Sequence, residues 1–349
     1  AFADLIERLD ARKPFTDIPG LYTSATINDH LNPERKDDRF RDGMNVRPAY
    51  VEELDAIPPP DRTYLSHVNY NSIVGVKPRL ATLLTSRGCP CTCTFCDVPY
   101  KIYRPRNLEL VMNEIEACLD MGYEEFHFYD DLFNITPQRV FDFCAALKRR
   151  RLNIIWDFRG RVNGVTFESL REAKSLGLRL ISFGVETGSN EGLRMLKKGC
   201  TVEQSEQVFR WCSALGIKTV ADFMIGLPHE KTADDVRRSI DFLIRLAPDY
   251  SQIGILNLYP RTQIYREAAA LGIVEPGRWE KWSMDPKPGF YVDHWTEFLS
   301  NEELVRLHRE SYRRFYFRPS YIIRSVHNLN SLHELKSKAI GALKLLLRR

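Results

Sequence analysis

From Arg79 onward the sequence alternates short apolar runs with amphipathic stretches of helical length, and this rhythm limits the fold more than any other feature. Strand patterns fall at Leu80–Thr85, Glu125–Tyr129, Asn153–Phe158, Leu178–Gly184, Ile217–Ile225 and Tyr250–Leu258. Helical spacing falls at Leu108–Met121, Pro137–Arg150, Thr166–Leu176, Val202–Leu215, Thr232–Leu246 and Gln263–Leu271. Gly122, Gly177, Gly216 and Gly272 each follow a helix, where a left-handed cap is wanted. Six strand–helix units in about 190 residues predict parallel strands. The expected class is α/β, an open, partial (β/α)6 barrel, since a complete eight-unit barrel needs about 250 residues. An open doubly wound sheet is the alternative.

The flanks break the rhythm. Residues 1–78 hold Pro14, Pro19, Pro33, Pro48, the run Pro58-Pro59-Pro60 and a charge run from Glu34 to Asp42. They read as a linker or wrapping segment. The chain opens on Ala1 in a pattern that looks like a helix interior, which predicts a piece of a longer protein with a domain before it. Residues 79–272 form the predicted core. Residues 273–349 carry Trp279, Trp282, Pro286, Pro288 and Trp295, then helical stretches, and read as a mainly helical extension.

A net charge of +4 is too small to argue for nucleic acid. No run of 18 apolar residues and no signal peptide is visible, so a cytoplasmic location is expected. Four of the eight cysteines crowd into residues 89–96. A disulfide scaffold would spread them through a shorter chain, whereas a tight cluster points to metal.

That cluster reads Thr85-Ser86-Arg87-Gly88-Cys89-Pro90-Cys91-Thr92-Cys93-Thr94-Phe95-Cys96, directly after the first strand. Cys89, Cys93 and Cys96 have C-x-x-x-C-x-x-C spacing. Three thiolates can hold three irons of a 4Fe–4S cube and leave the fourth iron open to a chelating amino acid. Structural zinc would prefer paired cysteines and a ligand held apart in sequence. An electron-transfer cluster would take Cys91 as its fourth ligand, at the cost of strain between near-adjacent ligands. Cys91 is read as a spectator.

The spacing, with Phe95 as the aromatic before the last cysteine, resembles the radical SAM superfamily. The resemblance implies reductive cleavage of S-adenosylmethionine (SAM) to methionine and a 5′-deoxyadenosyl radical. It also implies an external electron donor such as flavodoxin or ferredoxin and a small-molecule substrate. Asp17-Ile18-Pro19-Gly20-Leu21, Tyr129-Asp130-Asp131-Leu132-Phe133, Phe183-Gly184-Val185-Glu186-Thr187-Gly188-Ser189 and Tyr259-Pro260-Arg261-Thr262 resemble the cobalamin-binding class. Its members transfer methyl groups or carry out rearrangement and cyclisation in lipid, tetrapyrrole and secondary metabolism. Their cobalamin domain precedes the Ile-Pro-Gly linker. No Asp-x-His-x-x-Gly cobalamin motif occurs in these 349 residues.

In such folds the site gathers at the C-terminal ends of the strands, and all six predicted ends are polar or glycine-rich. By resemblance, Asp130 and Asp131 stand where relatives contact the SAM amino group; each also reads as a cap or loop charge. Glu186 takes the place of a ribose contact, or of a salt bridge to Arg159 or Arg161. Those arginines suit the SAM carboxylate or the surface. Gly226 reads as a close approach to adenine or ribose, or as a turn. Asn257 and Leu258 are adenine-side candidates, with core packing the other reading of Leu258. Where the family shows Gly-Leu-Pro-Gly-Glu-Thr, this chain has His229 and Lys231 in place of Gly and Thr.

Rival classes fit the same residues less well. A tRNA methylthiotransferase would end in a small β-barrel, whereas this C-terminus reads helical. A coproporphyrinogen-oxidase-like enzyme would have a cysteine where Val98 stands. A non-enzymatic iron–sulfur or zinc module would not need six polar strand ends. Tyr312-Arg313-Arg314-Phe315-Tyr316-Phe317-Arg318 interleaves aromatics and cations as nucleic-acid binders do, but at helical spacing it reads better as a packed amphipathic helix. Leu335–Arg349 has apolar and basic faces that suit a docking helix, or a membrane surface less well.

Overall fold

The computed structural model describes residues 2–14, 51–65, 68, 72, 74–275 and 277–327. The chain divides into two compact units, Ala1–Leu54 and Asp55–Arg349. In the first, helix α1 spans Phe2–Asp10. The second holds one parallel sheet of β1 (Leu80–Leu83), β4 (Glu125–Phe128), β5 (Ile155–Gly160), β6 (Leu178–Glu186), β7 (Lys218–Ile225) and β8 (Tyr250–Ile255), in that order. The short strands β2 (Ser86–Arg87) and β3 (Arg104–Pro105) pair antiparallel. Between the parallel strands run α2 (Leu108–Asp120), α3 (Pro137–Arg150), α4 (Phe167–Ser175), α5 (Asn190–Met195), α6 (Val202–Ala214) and α7 (Ala233–Leu246). Then follow α8 (Gln263–Ala270), α9 (Arg278–Met284), α10 (Asn301–Tyr316) and α11 (Pro319–His327). The six expected strands and the α/β class hold. The β2–β3 ladder and α5 and α9 lack a clear sequence signal because each is too short to show a period.

Threonine starts five of these eleven helices. Thr136, Thr166, Thr201, Thr232 and Thr262 each accept a backbone N–H from the first turn. The side chain satisfies a donor that the helix cannot.

Successive strand residues point to opposite faces. One face packs on the helices: Phe128, Phe133, Phe143, Trp156 and Phe158 form a continuous aromatic cluster, with Phe128 and Phe143 edge-on at 5.0 Å. On β7, Ala221, Phe223 and Ile225 continue that buried face. The other face, the interior of the partial barrel, is partly polar. It carries His127, Asp157, Ser182 and Asp222, where most barrels are filled with branched apolar side chains.

In the stretch expected to be a linker or wrapping segment, Arg62, Val76 and Lys77 are tied to the sheet and its first helix, α2. Arg62 donates to Thr82 O at 2.8 Å and pairs with Glu114. The N–H groups of Val76 and Lys77 donate to Glu125.

The free edge of β8 is closed by side chains of the C-terminal extension. Tyr316 Oη accepts from Ser251 N–H and donates to Ser251 O. Ile253 N–H donates to Tyr312 Oη, and Tyr321 Oη donates to Asp249 O. This use fixes Tyr312 and Tyr316 as packing residues and removes the basis for a nucleic-acid face there. Tyr316→Phe should leave an N–H and a C=O without their partner, a loss of roughly 1–3 kcal/mol. Urea denaturation checks this, and an unchanged midpoint would refute it. Leu335–Arg349 lies outside the described residues. Among the described residues no helix is long and apolar enough to cross a membrane.

Candidate active site

The cysteine loop leaves β1 and is fastened at its base, middle and far side. At the base, Asp130, just past β4, is 3% exposed. Its carboxylate accepts from Thr85 N–H (2.7 Å), Thr85 Oγ1 (2.5 Å) and Ser86 Oγ (2.7 Å). Burial pushes this carboxyl up, and the three donors oppose that. Asp131 accepts from Gly88 N–H at 2.7 Å. Both carboxylates therefore brace the loop, and Asp130 is buried with three donors from Thr85 and Ser86. In the middle, Cys89 N–H donates to Tyr100 O. On the far side, Thr94 bonds to Leu196 O and to Ile264 N–H, which joins the loop to α5 and α8.

Cys89 is buried, and Cys91, Cys93 and Cys96 are partly exposed. The Cys89 and Cys91 thiols share a hydrogen bond, which holds the Cys91 thiol at about 6, and Arg161, Lys198 and Lys101 support its charge. The Cys91 sulfur is thus grouped with the other thiols rather than turned away. Arg161 Nη1 lies 3.3 Å from Cys93 Sγ. Phe95 packs against a second apolar cluster that includes Leu196, Leu256 and Leu258.

Lys198, which carries no sequence signal, lies 5.9 Å from the Phe95 ring centre and 2.5 Å from Glu186 Oε1. Both side chains are buried. Burial works to lower the lysine's pKa, and the adjacent Glu186 carboxylate more than reverses this. The salt-bridge partner of Glu186 is therefore Lys198 and neither Arg159 nor Arg161. Arg159 instead faces Tyr129, 5.5 Å from its ring centre.

Three other candidate residues have contacts of their own. Gly226 has φ +73°, its N–H donates to Glu230 Oε2 at 2.7 Å, and a Cβ there would meet Leu304 at 2.9 Å. It is a turn glycine, and Glu230 closes that turn with further bonds to Leu227 N–H and Ser239 Oγ. Leu258 is completely buried in the second apolar cluster, which is core packing. Asn257 forms a backbone bridge to His294 and donates to Tyr259 Oη.

Beneath the loop, the barrel interior holds two groups. At its base Glu125, His127 and Asp157 lie close enough to suggest a metal, but the cation there is Arg179, 3.0 Å from Glu125 Oε1 and 3.7 Å from Asp157 Oδ2. Higher up stands Asp222. Burial pushes its carboxyl up to about 6, and its Oδ1 finds no partner among the described residues. Tyr129, whose ring faces Arg159, is 52% exposed.

Fold and loop together define a parallel α/β scaffold presenting clustered thiols, flanked by two cations, at the end of its first strand. Residues 83–243 match the model of the radical SAM superfamily, so the chain carries a radical SAM domain. It is 30% identical over 281 residues, 79% of its length, to an uncharacterized methyltransferase, PH0819, of Pyrococcus horikoshii. It is 28% identical over 286 residues, 78% of its length, to the anaerobic magnesium-protoporphyrin IX monomethyl ester cyclase of Rubrivivax gelatinosus. The chain spans 59% and 48% of those two relatives, about half their length. Among solved structures it resembles the radical S-adenosylmethionine methyltransferase TsrM of Kitasatospora setae, solved with cobalamin and a [4Fe-4S] cluster bound. The likeness has a TM-score of 0.52 and 26% identity, over 57% of this chain and 41% of that one.

Proposed function

We propose that this chain holds a 4Fe–4S cluster on Cys89, Cys93 and Cys96 and works as a radical SAM enzyme. One observation carries the reading: the thiols share a loop braced at the end of β1, beside Arg161 and Lys198. The donor set fits such a cluster, because a thiolate-bound cube is anionic and the Arg161 guanidinium stands beside it. When bound, the cluster and SAM supply reductive cleavage to methionine and a 5′-deoxyadenosyl radical. The residues of the chain do the rest. Asp130 and Asp131 hold the loop over the barrel, Glu186 and Lys198 fix the end of β6, and the interior receives a small molecule. Electrons come from an external donor such as flavodoxin or ferredoxin.

Methyl transfer or cyclisation follows from the relatives, one a methyltransferase and one a cyclase. Cobalamin rests on the likeness to TsrM. None of the described residues offers a cobalamin motif, so no step is assigned to it. The unpaired Oδ1 of Asp222 favours a polar substrate that offers a hydrogen-bond donor, since bare hydrocarbon laid on it would leave it unpaired.

Anaerobic reconstitution tests the reading. The expected result is about four irons per chain and 5′-deoxyadenosine released from SAM with dithionite. Cys93→Ala should lose both, and Cys91→Ala should keep both. Undiminished cleavage by Cys93→Ala would overturn the assignment.

A further inference from the structure

We propose that Arg161 sets the redox potential of the bound cluster by donating a hydrogen bond to the Cys93 thiolate. This makes it a positioning residue for electron transfer rather than a ligand for the SAM carboxylate. The inference rests on the functional reading above and on the way Arg161 is held.

Its backbone is clamped by a single buried side chain. Asn134, 1% exposed, accepts from Arg161 N–H at 3.0 Å and donates to Arg161 O at 2.8 Å. The clamp needs bare backbone around it. A Cβ on Gly160 would lie 2.0 Å from Asn134 Oδ1, and one on Gly164 would lie 2.0 Å from Asn134 O. The guanidinium is then oriented from its other side. Arg161 Nε donates to Asn163 Oδ1 at 3.3 Å, and Asn163 is itself anchored to Gly199 O at 3.0 Å. With backbone and Nε both fixed, the rigid planar fork directs Nη1 to Cys93 Sγ.

Charge supports the same conclusion. The neighbouring cation, Lys198, is already neutralised by Glu186. The groups that favour the charge on Arg161 include the sulfurs of Cys91, Cys93 and Cys200. Arg161 therefore waits for an anionic partner at the cysteine loop, and a guanidinium keeps its charge at any working pH. One-electron reduction adds negative charge to the cluster. A fixed cation and hydrogen bond at one sulfur stabilise that charge and raise the potential.

The test is an EPR-monitored redox titration of reconstituted protein without SAM, with iron counted in each sample. Arg161→Met should load as much iron as wild type, yet show a reduced-to-oxidised ratio about tenfold lower at the same poise, equivalent to about 59 mV for a one-electron couple. Arg161→Lys keeps the charge and loses the fork, so it should recover part of that shift. Asn163→Ala frees the fork without removing it and should shift the ratio in the same direction by less. These two variants carry the test if Arg161→Met fails to load iron. Wild-type potentials in iron-loaded Arg161 and Asn163 variants would overturn the inference. So would an effect confined to the SAM-induced change in the EPR spectrum. A wild-type chain that takes up no iron would overturn the functional reading itself.

Discussion

Asp130→Ala should cost the fold roughly 3–5 kcal/mol, among the largest losses from a single side chain in this protein. The carboxylate sits in a dry pocket and is the acceptor for Thr85 N–H, Thr85 Oγ1 and Ser86 Oγ. Truncation leaves all three donors without it. The two hydroxyls can rotate, but the backbone N–H cannot, and Arg139, which donates to Thr85 O and Oγ1, would be left facing a loosened turn. Because Thr85 and Ser86 lead directly into Cys89, the loss should extend to cluster assembly. Urea denaturation and iron content after reconstitution should fall together. Asp130→Asn keeps one acceptor for the Thr85 N–H and should lose much less of both. If Asp130→Ala keeps its stability and iron and loses only affinity for SAM, the brace is the wrong account and a ligand contact is the right one.

This residue also shows where sequence stops informing. Tyr129-Asp130-Asp131 marks a polar strand end, and that much is legible, because strands and helices announce themselves by period and strand ends by the break in it. The cysteine loop is legible too, since its spacing is local. What a carboxylate does there is settled by neighbours 43 to 45 residues away, Gly88, Thr85 and Ser86. Glu186 is a second case. Its partner Lys198 lies 12 residues on, past a short helix, and no periodicity joins them. Leu258 is a third: an apolar residue after a strand reads equally as a ligand wall or as core, and only its packing with Trp295 and Val274 decides for core. The polar interior was half visible. Along Lys218–Ile225 burial alternates residue by residue, and that alternation does not tell solvent from the inside of a barrel.

Asp222→Asn is expected to make the protein more stable at neutral pH, the opposite of most buried substitutions. Burial, opposed by Arg159 and Lys198, leaves the folded-state carboxyl at about 6, against an ordinary 3.8. The folded protein therefore holds this proton more tightly than the unfolded chain does. Below about pH 4 both states are protonated and the group costs nothing. As pH rises from about 4 to 6 the unfolded chain ionises first, and stability falls. Above 6 the full penalty stands, roughly 2–3 kcal/mol. Asparagine keeps a hydrogen-bonding group for Ser182 without the charge, so its advantage over wild type should be greatest at pH 7.5 and vanish near pH 4. Urea denaturation of both proteins at the two pH values measures it. An advantage that persists at pH 4 would mean that packing, not ionisation, separates the two proteins. Equal stability at pH 7.5 would mean that the carboxylate is better solvated than its unpartnered Oδ1 implies. A carboxylate kept at this cost inside a barrel that could have been filled with apolar side chains is what a binding site predicts, since stability is given up where a ligand must be met.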